Sequence, residues 1–325
     1  MRDRESNSLY EAGEETEVPA SKRGGPFALA MRRLLRKKIA VVALVAIAIF
    51  YFCGVSAPWV SPRSYTDQNL DNVLQGPTLE HPFGTDRLGR DMLSRVIWAA
   101  RTTTVVTVAT LITGGIILAV GLGLLAGYAG GKVDTAIMRL GDVFFALPGL
   151  PMLIMINATL GDRVRGMGWL KSLEGTLRID GFPDYVLIFG VLSLFSWVGG
   201  ARVIRSQVLA LRETEYVEAA RAMGASTSRI IVHHLLPNVS NIIIVSLSAS
   251  LGAIAGTEIA LTWFGVGVQE PTPSFGAMLF DGGSIRTLQA YPHLLLIPGA
   301  VVAILIFSFN LLGDALTDIL TPRAR

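Results

Sequence analysis

Six long apolar stretches restrict what this chain can fold into. They cover approximately residues 39–57, 103–128, 143–160, 184–203, 239–265 and 292–312. A stretch of about 18 or more apolar residues can cross the hydrocarbon layer of a bilayer as a helix. Only 16% of the residues are charged, whereas a soluble domain has about a quarter. The sequence therefore predicts an all-α polytopic membrane protein with six transmembrane helices.

The basic residues indicate how the chain is oriented. With the N-terminus in the cytoplasm, 18 of the 28 Lys and Arg residues lie in cytoplasmic segments. This bias is typical of loops that stay inside, so both termini are predicted to be cytoplasmic. Arg32 and Arg33 before the first apolar stretch imitate a secretion signal. That stretch is longer than the roughly 7–15 apolar residues of a signal, and more follow, so we expect an anchor.

The chain divides into five predicted segments. Residues 1–26 are polar and largely acidic, which predicts a disordered cytoplasmic tail. Residues 27–57 should form a basic helix in the membrane interface, followed by the first transmembrane helix. Residues 58–102 are expected to be an extracytoplasmic loop. A five-helix core at 103–316 and a cytoplasmic tail at 317–325 complete the chain.

The loop at 58–102 contains alternating opposite charges at Asp86, Arg87, Arg90 and Asp91. Acidic and basic groups so arranged could suggest a metal or phosphate site, but the spacing matches no ligand pattern. We interpret this part as a structural loop whose charges pair with one another.

Two membrane spans contain unusual residues. Pro148 and Pro151 in the third span predict a kink, because proline removes a backbone donor. Glu258 lies within the fifth span, where a carboxylate is expensive unless it faces protein or water. Two interpretations of Glu258 stay open: a paired or neutral carboxylate near a cavity mouth, and a group that lines a transport pathway.

A polar segment at about 206–238 separates the fourth and fifth spans. Gly224 suits the left-handed position that ends a helix, and Ser226 suits the N-cap of the next helix. The segment is thus predicted to be a helix, a glycine turn and a second helix. The adjacent Ala219 and Ala220 would leave a shallow surface for close approach of a partner.

DNA binding is one alternative for this helix-turn-helix pattern. Over 215–237, however, only Arg221 and Arg229 carry positive charge, whereas duplex binding needs several phosphate contacts. The segment is also tethered to a membrane span on each side. The sequence therefore excludes nucleic acid as a partner.

Signs of independent chemistry are missing from the sequence. The four histidines lack metal-ligand spacing, and no complete phosphate-binding loop or nucleophile motif occurs. The single cysteine, Cys53, lies in an apolar stretch. Apart from Glu258, ionisable groups at membrane depth are scarce, which disfavours an intramembrane enzyme and an ion-coupled transporter. These patterns favour a conduit driven by another subunit, without a cofactor or metal of its own.

The polar segment resembles the EAA loop of ABC-importer permeases. The positions that match its pattern are Glu218, Ala219, Ala220, Gly224, Leu236 and Pro237. His234 departs from the general pattern and is similar to the version in peptide importers. Residues 81–95, 265–276 and 310–314 also resemble the C-type permeases of dipeptide, oligopeptide and nickel importers. The resemblance covers residues 27–325, although residues 161–182 are longer than the family's usual link.

This resemblance implies a type I ABC-importer permease of a bacterial or archaeal cytoplasmic membrane. It implies a homologous second permease, two ATPase subunits that bind the ATP, an extracytoplasmic solute-binding protein and surrounding lipid as partners. Peptides are the expected solute, with nickel chelates or another small solute as the alternative. A membrane assembly or regulatory protein is a more remote alternative. The implied ATPase-docking residues are Glu215, Tyr216, Glu218, Ala219, Ala220, Gly224, Ala225, Leu236 and Pro237. Glu218 has a rival role as an intrachain cap or ion-pair partner.

Overall fold

The computed structural model describes residues 32–177 and 179–320. The predicted acidic tail at 1–26, the first residues of the predicted interfacial helix and residues 321–325 lie outside the described residues. Within the described ranges, an isolated antiparallel bridge between Thr85 and Asp91 is the only β pairing. The prediction of an all-α protein is confirmed.

Helices fill most of the described chain, and we number the principal ones in order. They are α1 Lys38–Val60, α2 Met92–Ala129, α3 Gly131–Ala146, α4 Gly149–Arg165, α5 Gly168–Leu177, α6 Phe182–Leu211, α7 Glu215–Ala222, α8 Thr227–Trp263, α9 Phe275–Gly282, α10 Ile285–Ala290 and α11 His293–Leu320. Five of them (α1, α2, α6, α8 and α11) are long and apolar enough to cross a membrane. The pair α3 and α4 is the sixth candidate span, bent by 88°.

The second span starts earlier than expected, so the loop predicted at 58–102 is too long. Helix α2 begins at Met92, and Asp91 caps it by accepting a 2.8 Å hydrogen bond from the Ser94 backbone N–H. Its first turns contain Arg95, and because a charged residue is unusual in a membrane span, the sequence pattern predicted a loop there. The Arg95 side chain is buried and neutralised by carboxylates from other segments, which is why the helix extends into this polar stretch.

The third span is two helices, not the single kinked helix expected at 143–160. Helix α3 spans Gly131–Ala146 and so begins before the expected start of this span at residue 143. It ends at Ala146, and Pro148 is the N-cap of α4, so the break falls at the predicted proline. Because proline has no N–H and restricts the residue before it to extended conformations, the chain turns there.

Small residues bring α2 and α6 close together. A Cβ atom at Gly127 would lie 2.6 Å from Val208 Cβ, and one at Gly123 would lie 2.9 Å from the Ala201 carbonyl oxygen. Such positions cannot hold a side chain unless the helices separate. Helices α2 and α6 are therefore tightly packed. The polar segment between α6 and α8 lies at one end of this pair.

The described start of the chain packs against its end. Residues 32–36 are helical, and Leu34 is buried beside Ala315 and Ile319 of α11. Lys37 Nζ lies 2.9 Å from Asp318 Oδ2. Short helices, namely α5, α9 and α10, also lie between the candidate spans.

Candidate docking site

The first residues of the docking segment predicted at 206–238 belong to α6, which ends at Leu211, and the short helix α7 follows. Val217 and Ala220 on one side of α7 are buried. Val217 belongs to an apolar cluster formed by residues from α2, α6 and α8: Val120, Leu124, Ile204, Val208, Ile230, Leu235, Val239 and Ile243. The inner face of α7 is therefore fixed to the ends of three membrane spans.

Gly224 ends this helix as its residue type predicts. Its φ angle is +81°, and a Cβ there would meet no atom within 4 Å. Gly224 N–H donates to the Arg221 carbonyl, and Ala225 N–H donates to the Ala220 carbonyl, both at 3.0 Å. Ser226 then caps α8 through its hydroxyl oxygen, which accepts from the Arg229 N–H. Glycine is needed at 224 because of its backbone conformation, since there is ample space for a side chain.

The outer face of α7 differs from the expected surface in one respect. Glu215, Tyr216, Glu218 and Ala219 are exposed, but Ala220 faces inward. The two alanines therefore do not form a common open surface, because adjacent residues on a helix point about 100° apart. Ala220 supports the helix from within, and Ala219 is the alanine that a partner can approach.

The second part of the segment forms the beginning of α8. Residues Ile231–Leu235 are π-helical, and Leu236 and Pro237 follow in the first α-helical turn. Helix α8 continues through Pro237 to Trp263. The π-helical turn changes the hydrogen-bond pattern just before Pro237, where an N–H is missing. Tyr216 lies beside this turn, with its ring centroid 6.4 Å from that of His234.

A polar cleft of about 400 Å³ lies beside α7. Its lining includes Glu218 and Arg221 of α7 together with Tyr128, Ala129, Arg212 and Glu213. Arg221 lies over the Tyr128 ring at 5.8 Å, and Arg212 Nη1 donates to the Gly127 carbonyl at 3.2 Å. Sequence reasoning missed Tyr128 and Arg212, which come from the ends of α2 and α6. The only local sequence signal that a cleft could form here was the Gly130-Gly131 turn near Tyr128.

The Glu218 carboxylate has no hydrogen-bond or ion-pair partner among residues 32–177 and 179–320. It is exposed at the edge of the cleft. This arrangement does not support the rival role as an intrachain cap or ion pair.

Glu258 is fully buried within the chain, with 0% of its surface exposed. Its Oε2 accepts a 2.8 Å hydrogen bond from Thr103 Oγ1 of α2. A cavity of about 380 Å³ lies nearby, between α4, α6 and α8, and Thr257 lines it. Glu258 is not among the lining residues. Its Oε1 has no hydrogen-bond partner among the described residues, so both interpretations of Glu258 stay predictions.

Of the four charges of the outer loop, Asp86 and Arg90 pair with one another as interpreted from the sequence, whereas Asp91 contacts His81 and Arg87 donates to the Asp281 carbonyl. Asp86 accepts from Arg90 Nε at 2.7 Å and from Arg95 Nη1 at 2.5 Å. Both arginines also contact Glu270 from the loop before α9. Although burial disfavours its charge, hydrogen bonds to Glu270 and Asp86 raise the pKa of Arg90. This outer charged cluster (Asp86, Arg90, Arg95 and Glu270) joins two loops that are distant in sequence.

Among the described residues, no group of three or more His, Cys, Asp or Glu side chains is placed to hold a metal ion. The exposed face of α7 and its cleft offer hydrogen-bonding groups and the accessible methyl groups of Ala219 and Ala129. Their arrangement suits docking of a protein surface more than any bond-making chemistry.

Comparison with known proteins adds a family to this geometry. Residues 119–325 match the model of the binding-protein-dependent transport system inner membrane component, and residues 25–77 match the N-terminal transmembrane domain of oligopeptide transport permease C.

Three curated relatives illustrate the similarity. The dipeptide transport system permease protein DppC of Alkalihalophilus pseudofirmus is 36% identical over 92% of this chain and 91% of its own length. The oligopeptide transport system permease protein OppC of Bacillus subtilis is 33% identical over 91% and 89%, respectively. The glutathione transport system permease protein GsiD of Pectobacterium atrosepticum is 33% identical over 90% of each.

Proposed function

Because the chain belongs to the family of binding-protein-dependent transport system inner membrane components, we propose that it forms half of the pathway of an ATP-driven importer for di- or oligopeptides. The chain is a multi-pass membrane permease and a transport component. A binding protein and ATPase subunits are its partners by family. A homologous second permease would supply the other half of the pathway, and two ATPases would bind the ATP.

The exposed face of α7 is the proposed contact with an ATPase. One observation carries this assignment: α7 exposes Glu218 and Ala219, while Val217 on its buried side belongs to the cluster that joins α2, α6 and α8. A force on α7 would therefore be transmitted to three spans. Closure of the ATPases on ATP would move these spans as rigid bodies from an inward-facing to an outward-facing arrangement.

Peptides are the proposed solute because the relatives are named for dipeptide, oligopeptide and glutathione transport. Nickel chelates or another small solute form the alternative. Mass spectrometry of ligands that co-purify with the cognate binding protein tests this part of the proposal. Peptides bound to that protein support it, and a metal chelate as the sole ligand refutes it.

The docking assignment can be tested with two substitutions. Gly224→Val forces a β-branched residue into φ +81°, and Glu218→Lys reverses an exposed charge. We expect each variant to insert in the membrane but to lose uptake and binding-protein-stimulated ATPase activity in proteoliposomes.

Gly265→Val is a matched control for Gly224→Val. Gly265 has a φ angle of +73°, and a Cβ atom there would likewise meet no atom within 4 Å, but it follows the opposite end of α8. The control should assemble with the ATPases as the wild type does. Full uptake by both docking variants would refute the assignment of α7.

A further inference from the structure

Helix α5 is a firmly anchored element that connects α4 and α6. Leu170 on its inner side is only 1% exposed. The Glu174 carboxylate accepts a 2.8 Å hydrogen bond from the Gly181 N–H, just before α6. Arg165 at the end of α4 binds Asp184 of α6, with Nε 2.7 Å from Oδ1. These contacts hold both ends of the connection, so α5 has a defined position at the outer ends of α4 and α6 in the predicted orientation.

The exposed side of α5 carries a narrow apolar stripe. Trp169 is 61% exposed and Leu173, one turn later, is 38% exposed; Met167 just before α5 is exposed as well. Ser172 and Thr176, which are exposed, follow Trp169 at helical spacings of three and seven residues. They limit the stripe on one side. A large aromatic group with aliphatic neighbours on a rigid support is typical of the centre of a protein interface.

The stripe is too narrow for a helix that lies in the membrane surface. Such helices bury an apolar face of about 100° or more and usually carry several Lys or Arg residues on the polar face. In α5, Leu170 is already covered by protein, and Lys171 is the only cation between Gly168 and Leu177. Exposed charges also precede the stripe at Asp162 and Arg163. This mixed rim is typical of a contact with protein.

The stripe lies beside two of the three helices that enclose the 380 Å³ cavity. Helix α5 packs against α4 and α6, and these two helices contribute Leu153 and Leu192 to the cavity wall. In the predicted orientation, α5 lies at the outer ends of these two helices, and the cavity lies further in, so a solute released outside the membrane would pass the outer ends of α4 and α6 on its way to the cavity.

We propose that Met167, Trp169 and Leu173 form a contact for the solute-binding protein on the outer side of this permease. This inference rests on the proposed importer function and assigns one partner to one surface. Trp169 would fill a pocket on the binding protein, and the surrounding polar residues would exclude water from the contact.

The first test uses the complete transporter in proteoliposomes, with ATPase activity measured against the concentration of the cognate solute-loaded binding protein. Trp169→Ala and Leu173→Ser should each raise the half-saturating concentration at least tenfold and leave the activity without binding protein unchanged. Trp59→Ala is the matched control, because Trp59 is 81% exposed near the end of α1. An unchanged half-saturating concentration in both α5 variants would overturn the proposal.

The second test maps the surface directly in a Cys53→Ala background, which removes the sole cysteine. A membrane-impermeant maleimide should label Leu173→Cys, and the binding protein should protect it. Lys171→Cys, on the polar side of α5, should be labelled with or without the binding protein. Failure to label Leu173→Cys in the transporter alone would place the stripe against lipid or the second permease and refute the contact. If the ATPase activity of the wild-type transporter does not respond to the binding protein, the importer function itself is refuted.

Discussion

The outer charged cluster should be a main source of stability for the extracytoplasmic side. Asp86 is its centre, because its carboxylate accepts from two side chains and two backbone N–H groups. The Leu88 and Arg90 N–H groups lie 2.8 and 2.9 Å from Oδ1, while the two arginine side chains bind Oδ2. Replacing Asp86 with Asn keeps the shape of the side chain, removes its negative charge and turns one acceptor atom into a donor.

The expected size of this effect follows from burial. Arg90 and Arg95 are 5% and 1% exposed, and the variant leaves them only the half-exposed Glu270 carboxylate. Removing one partner of a buried ion pair costs about 3–5 kcal/mol. With an unfolding entropy of about 2 cal/mol/K per residue, each loss of about 1 kcal/mol in the free energy of unfolding lowers the unfolding midpoint of the 325-residue chain by about 1.5 °C. Asp86→Asn should therefore lower the unfolding midpoint by about 4–7 °C.

Thermal unfolding of the detergent-purified transporter, followed by size-exclusion fluorescence, measures this shift. Glu80→Gln is the control, because it removes a carboxylate that pairs with Arg63 at the exposed surface of the same loop; it should leave the midpoint unchanged. An Asp86→Asn midpoint within about 1 °C of the wild type would refute the idea that the buried charges hold the two loops together.

Three further predictions concern helix packing and buried polar groups. Gly127→Ala should destabilise the protein by about 1–3 kcal/mol through overpacking against α6, whereas Gly121→Ala, which meets no atom within 4 Å, should not; thermal unfolding distinguishes them. Thr103→Val removes the hydroxyl that donates to the Glu258 carboxylate and should cost about 1–3 kcal/mol, with rescue by Glu258→Leu in the double variant. Burial raises the pKa of Asp281 above its ordinary value of 3.8, so its contribution to stability is greatest below that pH and declines as pH rises through the folded pKa. Asp281→Asn should therefore weaken the decline of the unfolding midpoint above about pH 4, and an unchanged pH profile would contradict this.

The membrane spans could be predicted because each is a long apolar stretch, and burial in lipid requires little else. The start of α2 could not, since Arg95 looks polar until Asp86 and Glu270 are brought beside it. The break at Pro148 was signalled by residue type, but its angle depends on the packing of both helices. These differences arise where a distant segment changes the environment of a local pattern.

The docking segment shows the same difference between local properties, which the sequence predicts, and properties that depend on distant residues. The conformation of Gly224 and the cap at Ser226 are local properties, and the sequence anticipates both. The inward direction of Ala220 depends on which face of α7 meets the ends of the spans. Likewise, the partner of Glu258 is Thr103, 155 positions away, and no local pattern identifies it.

The length of α8 has a mechanical consequence. Its 37 residues would measure about 55 Å at 1.5 Å per residue, more than the roughly 40–45 Å of a bilayer with its headgroups. One end begins three residues after Gly224, and the other leads within seven residues to Glu270 of the outer charged cluster. Helix α8 thus connects the docking segment with the outer charged cluster, and a rigid-body displacement of α8 at one end would be transmitted to the loops at the other end.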